Sequence, residues 1–273
     1  MPGFIYEMIR GSYFGRRKQW ERIDTYREAF LNYDGAARES GRGFAGKTVL
    51  EVGCGDQVFT ALFLLAHGCE RVMLADPKLK IFNDGGRMGR ALSTFRAAMP
   101  EFALSEADVR ARLSCYSGLR EIPDALNDSA DFIFSHLVLE HFTDLDIFFS
   151  ALMRLLAPDG LSFNMVDLSD HTYHIFTRFK VFSPLCARNG LNHLRYSNKT
   201  FARLNDPKCF MNRFLLPTYR QKAAGYGLDC QITQKTLLDR KVPVHRDLTG
   251  GISEAYCDES DLMVTGFNML LRK

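Results

Sequence analysis

Residues 49–56 read Val49-Leu50-Glu51-Val52-Gly53-Cys54-Gly55-Asp56, and this stretch indicates the fold class more clearly than any other. The apolar run before the glycines is typical of a buried parallel strand. Gly53 and Gly55 predict a tight turn in which the backbone can approach a bound ligand closely. A helix is expected to follow from Val58 to His67, with Gly68 as its stop. This order of elements is typical of the start of a parallel α/β sheet.

The alternation of strand and helix continues along the chain. Further apolar runs predict strands at Arg71–Ala75, Ser114–Tyr116, Asp131–Ser135 and Leu161–Asp167. A helix is predicted over Asp144–Ala157, followed by a turn at Pro158-Asp159-Gly160. Strand-like patterns resume at Leu228–Leu238 and Asp261–Leu271. We therefore predict a mostly parallel sheet with helices on both faces.

The composition narrows the class of protein. The chain has 273 residues, of which 46% are hydrophobic and 25% charged, as in an ordinary globular protein. A net charge of +3 does not indicate a dedicated nucleic-acid binder. The seven cysteines are scattered without a C-x-x-C pair, and no ligand cluster has metal spacing. With neither a signal peptide nor a membrane-spanning run recognised, we expect a cytoplasmic protein without a bound metal.

Asp76 ends the second predicted strand and is the next residue of interest. A carboxylate at this point can accept hydrogen bonds from both hydroxyls of a ribose. The alternative is that Asp76 caps a following helix whose first residue is Pro77.

The fourth predicted strand runs into the sequence Ser135-His136-Leu137-Val138-Leu139-Glu140-His141. Open α/β sheets bind ligands at the carboxyl ends of their strands, so we expect Ser135 and His136 to contact a ligand. His141 is a candidate catalytic base, and the alternative is a histidine with a structural hydrogen bond.

These motifs together resemble the class I S-adenosylmethionine-dependent methyltransferases. The resemblance is carried by Leu50–Gly55, Asp76, Val138–His141 and Leu156–Gly160. It implies a Rossmann-like, mostly parallel seven-stranded sheet with an antiparallel last strand, and S-adenosyl-L-methionine as cofactor. The implied cofactor-binding residues in the first half of the chain are Glu51, Gly53, Cys54, Gly55 and Asp76. The chain departs from the family pattern at Gln57, often a glycine, and near Ser117, often an acid that contacts adenine.

A later set of motifs is similar to methyltransferases found with bacterial surface-polysaccharide biosynthesis. The set comprises Val166–His171, Leu194–Ser197, Asn212-Arg213, Asp261–Gly266 and Arg272-Lys273. The resemblance implies O-methylation of a sugar or glycan-linked intermediate. The alternatives are a methyltransferase for another small metabolite and an inactive, methyltransferase-like binding module.

Methyl transfer to a hydroxyl requires that a proton be removed from the acceptor. Asp167, Asp170 and His171 follow the fifth predicted strand. Our hypothesis is that His171 is the base and that Asp170 or Asp167 orients it, and the alternative is that His171 stabilises its loop.

Arg195, Tyr196 and Arg213 are the candidate acceptor-binding residues. The planar guanidinium groups of the two arginines could hold a phosphate or carboxylate of the acceptor. The alternative for both arginines is a surface salt bridge.

Four segments follow from these patterns. Residues 1–46 are expected to be an N-terminal helical lid, 47–167 the cofactor-binding core, 168–225 an acceptor-binding insertion, and 226–273 the final strands of the core sheet. The insertion lacks regular alternation, and long stretches of this kind inside a domain are usually functional or contain helices.

Overall fold

The computed structural model describes residues 23–79, 86–170, 191–205, 211–238, 244–245, 248 and 259–273. These residues divide between two compact units. The N-terminal unit comprises the described residues from 23 to 136, together with 150–164 and 271–273. The C-terminal unit comprises 137–149 and the described residues between 165 and 270. The chain crosses between the units several times, so neither unit is one continuous segment.

The strands are β1 Thr48–Val52, β2 Arg71–Ala75, β3 Leu113–Tyr116, β4 Ala130–His136, β5 Leu156–Asp167, β6 Asp229–Leu237 and β7 Val264–Arg272. They form a seven-stranded sheet in the order β3-β2-β1-β4-β5-β7-β6. β1 is parallel to β2 and β4, β2 is parallel to β3, and the last strands are antiparallel. The predicted Rossmann-like fold class is confirmed. The strand order reverses between β1 and β4, which is where sheets of this kind bind ligands.

The longer helices are α1 Ile23–Glu39, α2 Phe59–Ala66, α3 Arg87–Ala98, α4 Glu106–Arg112, α5 Asp146–Leu155, α6 Asn198–Leu204 and α7 Leu216–Gly225. Every residue of α2 except Ala66 is buried, as expected of a helix that is apolar on all sides. Gly68 ends this region with φ +89, so the predicted stop is confirmed. None of the described helices has the length and apolar character needed to cross a membrane.

α1 packs its apolar side into the core of the N-terminal unit. Phe30 stacks on Phe63 of α2 with ring centroids 5.5 Å apart. Tyr33, one turn further on, stacks on Phe134 of β4 at 4.3 Å and with only 8° between the ring planes. Burying an aromatic side chain of this size stabilises a fold by about 2 kcal/mol. α1 is therefore an integral part of this unit, and its predicted action as a lid stays a prediction.

The junction between α5 and β5 differs from the predicted helix and turn. α5 ends at Leu155 and β5 begins at Leu156, where the sequence predicts a helix to Ala157 and then a turn. The carbonyl of Arg154 accepts the N–H of Asp128, at 2.9 Å, and the carbonyl of Leu156 accepts Lys273 Nζ, also at 2.9 Å. These donors come from distant parts of the chain, so local periodicity does not reveal where the helix ends.

Asp261 anchors the C-terminal unit. Its side chain is wholly buried and accepts hydrogen bonds from Arg220 of α7 and from Lys235 Nζ of β6, the latter at 2.7 Å. A buried carboxylate is tolerated when opposite charges and donors surround it. Asp261 thereby links a helix to a strand.

We expect Asp261→Ala to lower the free energy of unfolding by about 2 kcal/mol, because two partly buried cations lose their partner. The urea midpoint of unfolding measures this change. Glu106→Ala is the matched control, since its ion pair with Arg110 is exposed and worth roughly 0.5 kcal/mol or less. Equal midpoints for the two variants would contradict the prediction.

Candidate functional site

The loop after β1 is shaped by two glycines in the left-handed region. Gly53 has φ +79 and Gly55 has φ +66. The N–H of Gly53 donates to the carbonyl of Ala75 at 2.9 Å, and the N–H of Gly55 donates to Asp76 Oδ2 at 2.8 Å. A Cβ atom added to Gly55 would meet no atom within 4 Å. The loop therefore turns sharply and leaves open space beside its backbone.

Asp76, at the end of β2, braces this loop. Its Oδ1 accepts the N–H of Lys78 at 2.7 Å, which closes a turn of the kind that aspartate favours. Among the described residues the next helix starts at Arg87, so the structure places no helix start at Pro77. Each carboxylate oxygen has two lone pairs, so Asp76 retains acceptor capacity for a ligand.

Glu51 lies on β1 beside the same loop and is 5% exposed. Its carboxyl accepts a hydrogen bond from Thr60 of α2. The pKa of Glu51 is raised to about 8. Burial is the largest cause, the hydrogen bond from Thr60 acts in the opposite direction, and the nearby Asp76 carboxylate adds to the rise. Within the described part of the chain, Glu51 Oε2 has no hydrogen-bond partner. A buried acceptor in this state needs a donor, and a ligand can supply one.

The other loop residues have distinct surroundings. Burial raises the pKa of the Cys54 thiol well above its usual range, so this cysteine remains a neutral thiol. Asp56 forms an ion pair with Arg87 of α3. Gln57, which stands where the family often has a glycine, is 4% exposed and so points into the protein.

Ser135 and His136 end β4. Ser135 is wholly buried and donates to Asn164 Oδ1 at 2.8 Å, and Asn164 Nδ2 donates to Ser162 Oγ at 2.9 Å. These side chains form a buried polar link between β4 and β5. Burial lowers the pKa of His136, and the carboxylate of Glu28 on α1 raises it. Ser135 is therefore tied into the sheet, and burial favours the neutral imidazole of His136.

Sequence reasoning did not single out Thr60 or Tyr33, although both belong to the surroundings of Glu51. The electrostatic influence of Glu51 and Cys54 on the Tyr33 hydroxyl shows that the three side chains are neighbours. Tyr33 follows Phe30 by three residues, so helical periodicity marks it as buried but not as a neighbour of Glu51.

In the C-terminal unit, Leu137 is the first residue after β4 and has an unusual conformation. Its φ is +57, and its side chain is 45% exposed. Its N–H donates to the carbonyl of Met165 at 2.9 Å. A non-glycine residue in this region is uncommon, and such positions cluster at ligand sites.

Asn212 holds the turn that follows. Its Nδ2 donates to the carbonyls of Leu139, at 2.8 Å, and Phe142, at 3.0 Å, and its N–H donates to the carbonyl of Glu140. Glu140 is wholly buried, and burial raises its pKa well above its usual range. His141, the candidate base, is exposed on the same turn.

Arg213 is 8% exposed, and its guanidinium contacts its own unit. It donates to the carbonyls of His193 and Tyr196 and to the side chain of Asn198, and it lies 4.4 Å from the ring centre of Phe201. These contacts hold the segment around α6. Arg195 and Tyr196, the other candidate acceptor-binding residues, are exposed, and acceptor binding by all three stays a prediction.

A groove of about 430 Å³ lies where β5 ends beside β6 and β7. It is lined by Leu137, Met165, Val166, Asp167, Ser169, Gln234, Thr236, Leu238, Thr265, Gly266, Phe267 and Asn268. Asp167 is the charged residue of this set, and its Oδ1 accepts the N–H of Ser169 at 2.8 Å. Asn268 Nδ2 donates to Gln234 Oε1 at 3.0 Å, which orients both amides. The groove therefore combines neutral hydrogen-bonding groups, apolar surface and a single carboxylate.

Three candidate catalytic residues lie at or after the end of β5, and the structure places Asp167 on the groove wall. Asp170 is 6% exposed and is not among the lining residues. His171 lies outside the described residues. Sequence reasoning missed the lining residues of β6 and β7, because their strand pattern predicts only that they complete the sheet.

Comparison with known proteins identifies the family. The family model described as a methyltransferase domain matches residues 23–230, well over half of the chain. The chain is similar to the solved structure of the YcgJ protein from Bacillus subtilis, with 16% identity and a TM-score of 0.49, over 90% of this chain and 99% of that chain. It is similar to an S-adenosylmethionine dependent methyltransferase from Mesorhizobium loti, with 16% identity and a TM-score of 0.47, over 88% and 96% of the two chains. No curated protein sequence matches the chain.

The family assignment rests on the sequence match, which begins with α1 and extends into β6. The chain belongs to the methyltransferase-domain family and is a class I methyltransferase whose cofactor is S-adenosylmethionine.

Proposed function

We propose that this methyltransferase methylates a hydroxyl group of a sugar or glycan-linked intermediate. The observation that carries the proposal is the groove at the end of β5. Sugars present many hydroxyls and an apolar ring face, which match the neutral amides, hydroxyls and apolar side chains of this lining. Because the described lining residues include a carboxylate and no cationic side chain, they suit a neutral group better than a phosphate.

The residues around the β1 loop fit the cofactor. The open space beside Gly55 admits a ligand against the backbone, and Glu51 Oε2 offers an acceptor for an ammonium group. We propose that the backbone of Gly53, Cys54 and Gly55 holds the methionine part, with Glu51 on its ammonium group. Asp76 would accept the ribose hydroxyls.

Ser135 and His136 complete the proposed cofactor set at the end of β4. S-adenosylmethionine supplies a methyl group activated by its positively charged sulfur.

Asp167 is the proposed general base. Its carboxylate would accept the proton that the acceptor hydroxyl loses during methyl transfer. The hydrogen bond from the Ser169 N–H to Oδ1 orients the carboxylate. Asp170 and His171 follow directly in the chain, and His171 stays the alternative base.

Incubation with S-adenosylmethionine carrying a labelled methyl group tests the acceptor class. The panel comprises neutral sugars, sugar nucleotides, glycans and amines, and mass spectrometry locates the methyl group. O-methylated sugars support the proposal. N-methylated amines alone would move the assignment to another small metabolite, and cofactor binding without turnover would favour the inactive binding module.

Asp167→Asn is expected to lower kcat at least about 100-fold, because the amide keeps the shape but cannot accept the proton. Cofactor affinity should stay unchanged. Asp124→Asn, at a carboxylate 90% exposed in the N-terminal unit, is the control and should retain wild-type kcat. If His171→Ala abolishes turnover while Asp167→Asn does not, His171 is the base.

Gly55→Ala is expected to weaken S-adenosylmethionine binding roughly tenfold, because a left-handed φ costs an L-residue about 1–2 kcal/mol. Calorimetric titration measures the affinity. Gly35→Ala is the matched control, since Gly35 lies inside α1 and an added Cβ meets no atom within 4 Å. Unchanged binding by Gly55→Ala would argue against the loop as the cofactor site.

A further inference from the structure

Two buried polar atoms of the N-terminal unit share one feature. Glu51 Oε2 and the Tyr33 hydroxyl are both buried and, within the residues that the structure describes, have no hydrogen-bond partner. Tyr33 is wholly buried and Glu51 is 5% exposed. Buried polar groups are normally hydrogen-bonded, so two neighbours in this state call for an explanation.

The sheet register brings the two side chains together. Glu51 of β1 pairs with Phe134 of β4, and residues opposite one another in neighbouring strands point to the same face of the sheet. Tyr33 lies flat on the Phe134 ring and has Phe163 of β5 at its edge, with centroids 6.3 Å apart. The aromatic packing fixes the Tyr33 ring, and its hydroxyl, which has no hydrogen-bond partner among the described residues, interacts electrostatically with Glu51.

Burial disfavours a negative charge on Glu51, and the carboxylate of Asp76, directly after β2, adds to this effect. Burial raises the pKa of the Tyr33 hydroxyl on α1 and of the Cys54 thiol in the loop, and electrostatic repulsion by Glu51 raises both further. Thr60 of α2 donates a hydrogen bond to the carboxyl. Because burial raises the pKa of Glu51 to about 8, its carboxyl is mostly protonated at neutral pH. An ammonium group placed beside it would reverse this balance.

We infer that Tyr33 is a cofactor-positioning residue, which donates its hydroxyl to the Glu51 carboxylate when that carboxyl releases a proton on binding the cofactor's ammonium group. The O–H bond of the Glu51 carboxyl breaks, and its proton leaves to solvent. The carboxylate then accepts hydrogen bonds from the ammonium group, from Thr60 and from Tyr33. Both orphaned atoms thus gain partners in the bound state.

The inference rests on the proposed role of Glu51 in binding the cofactor. It explains why a tyrosine is wholly buried at this point of α1 rather than a phenylalanine. It also makes the affinity for S-adenosylmethionine depend on pH. The bound state holds fewer protons than the free state, so affinity rises with pH until Glu51 is ionised in the free protein.

Calorimetric titration with S-adenosylmethionine tests the inference without any acceptor. At pH 7, the binding enthalpy of wild type should vary with the ionisation enthalpy of the buffer, with up to about one proton released. Affinity should rise from about pH 6 to about pH 8 by no more than tenfold per unit. The amino group of the cofactor contributes equally to proton release with wild type and with Glu51→Gln. The difference in the number of protons released by these two proteins therefore measures the proton of Glu51.

Tyr33→Phe keeps the ring stack and removes only the hydroxyl. We expect about fivefold weaker binding, because the carboxylate of the bound state loses one donor, and an unchanged pH midpoint, because Glu51 in the free protein sets that midpoint. Tyr219→Phe is the matched control, since Tyr219 is a second wholly buried tyrosine and belongs to the other unit. It should bind the cofactor with wild-type affinity and pH dependence.

The outcomes distinguish failure of the inference about Tyr33 from failure of the proposed cofactor role of Glu51. If Glu51→Gln binds as tightly as wild type, Glu51 does not hold the ammonium group, and the proposed cofactor role of Glu51 fails too. If Glu51→Gln binds weakly while Tyr33→Phe matches wild type in affinity, only the inference about Tyr33 is overturned. Absence of proton release by wild type overturns the inference even if a variant does not fold.

Discussion

The hydrogen bond from the Gly55 N–H to Asp76 Oδ2 is the contact on which the loop after β1, the proposed cofactor site, depends. It joins the loop after β1 to the end of β2, whose parallel register is set by the pairing of Val52 with Ala75. A hydrogen bond to a carboxylate contributes about 1.5–3 kcal/mol, enough to hold two glycines in a left-handed turn. The turn leaves space beside the backbone and directs the chain into α2, which carries Thr60 to Glu51.

Three buried carboxyl groups of this protein differ in the charges and hydrogen-bond donors that surround them. Asp261 is surrounded by Arg220 and Lys235 and serves the packing of the C-terminal unit. Glu140 lies within a turn whose backbone carbonyls are held by Asn212, away from the loop after β1, and burial favours its neutral form; both of its carboxyl oxygens lack a hydrogen-bond partner among the described residues. Glu51 accepts a hydrogen bond from Thr60, and its Oε2 has no partner in the described part of the chain. An incompletely satisfied carboxyl beside an open loop is typical of a ligand site, whereas a fully paired one is typical of structure.

The sequence predicted the proposed cofactor site well, because the patterns that mark its strands, turn and helix each lie within a short segment. The apolar run into Gly53 and Gly55 marks a strand, a turn and a helix within one short segment. β2 has the predicted bounds, and the strand that ends at His136 lies where predicted, so Asp76, Ser135 and His136 sit at strand ends. The sequence predicted the boundary between α5 and β5 less well. Donors distant in sequence bind the carbonyls of Arg154, near the end of α5, and of Leu156, at the start of β5.

The sequence by itself determined the order of strands and helices, the fold class and the glycine loop, since these follow from hydrophobic periodicity and backbone preferences over a few residues. Only the tertiary structure decided that Tyr33 neighbours Glu51, that Arg213 binds its own unit, and that Gln234 and Asn268 face Asp167 across one groove. Those contacts join residues far apart in the chain. They depend on strand register and on which side of the sheet a helix covers, and neither is encoded in a local pattern.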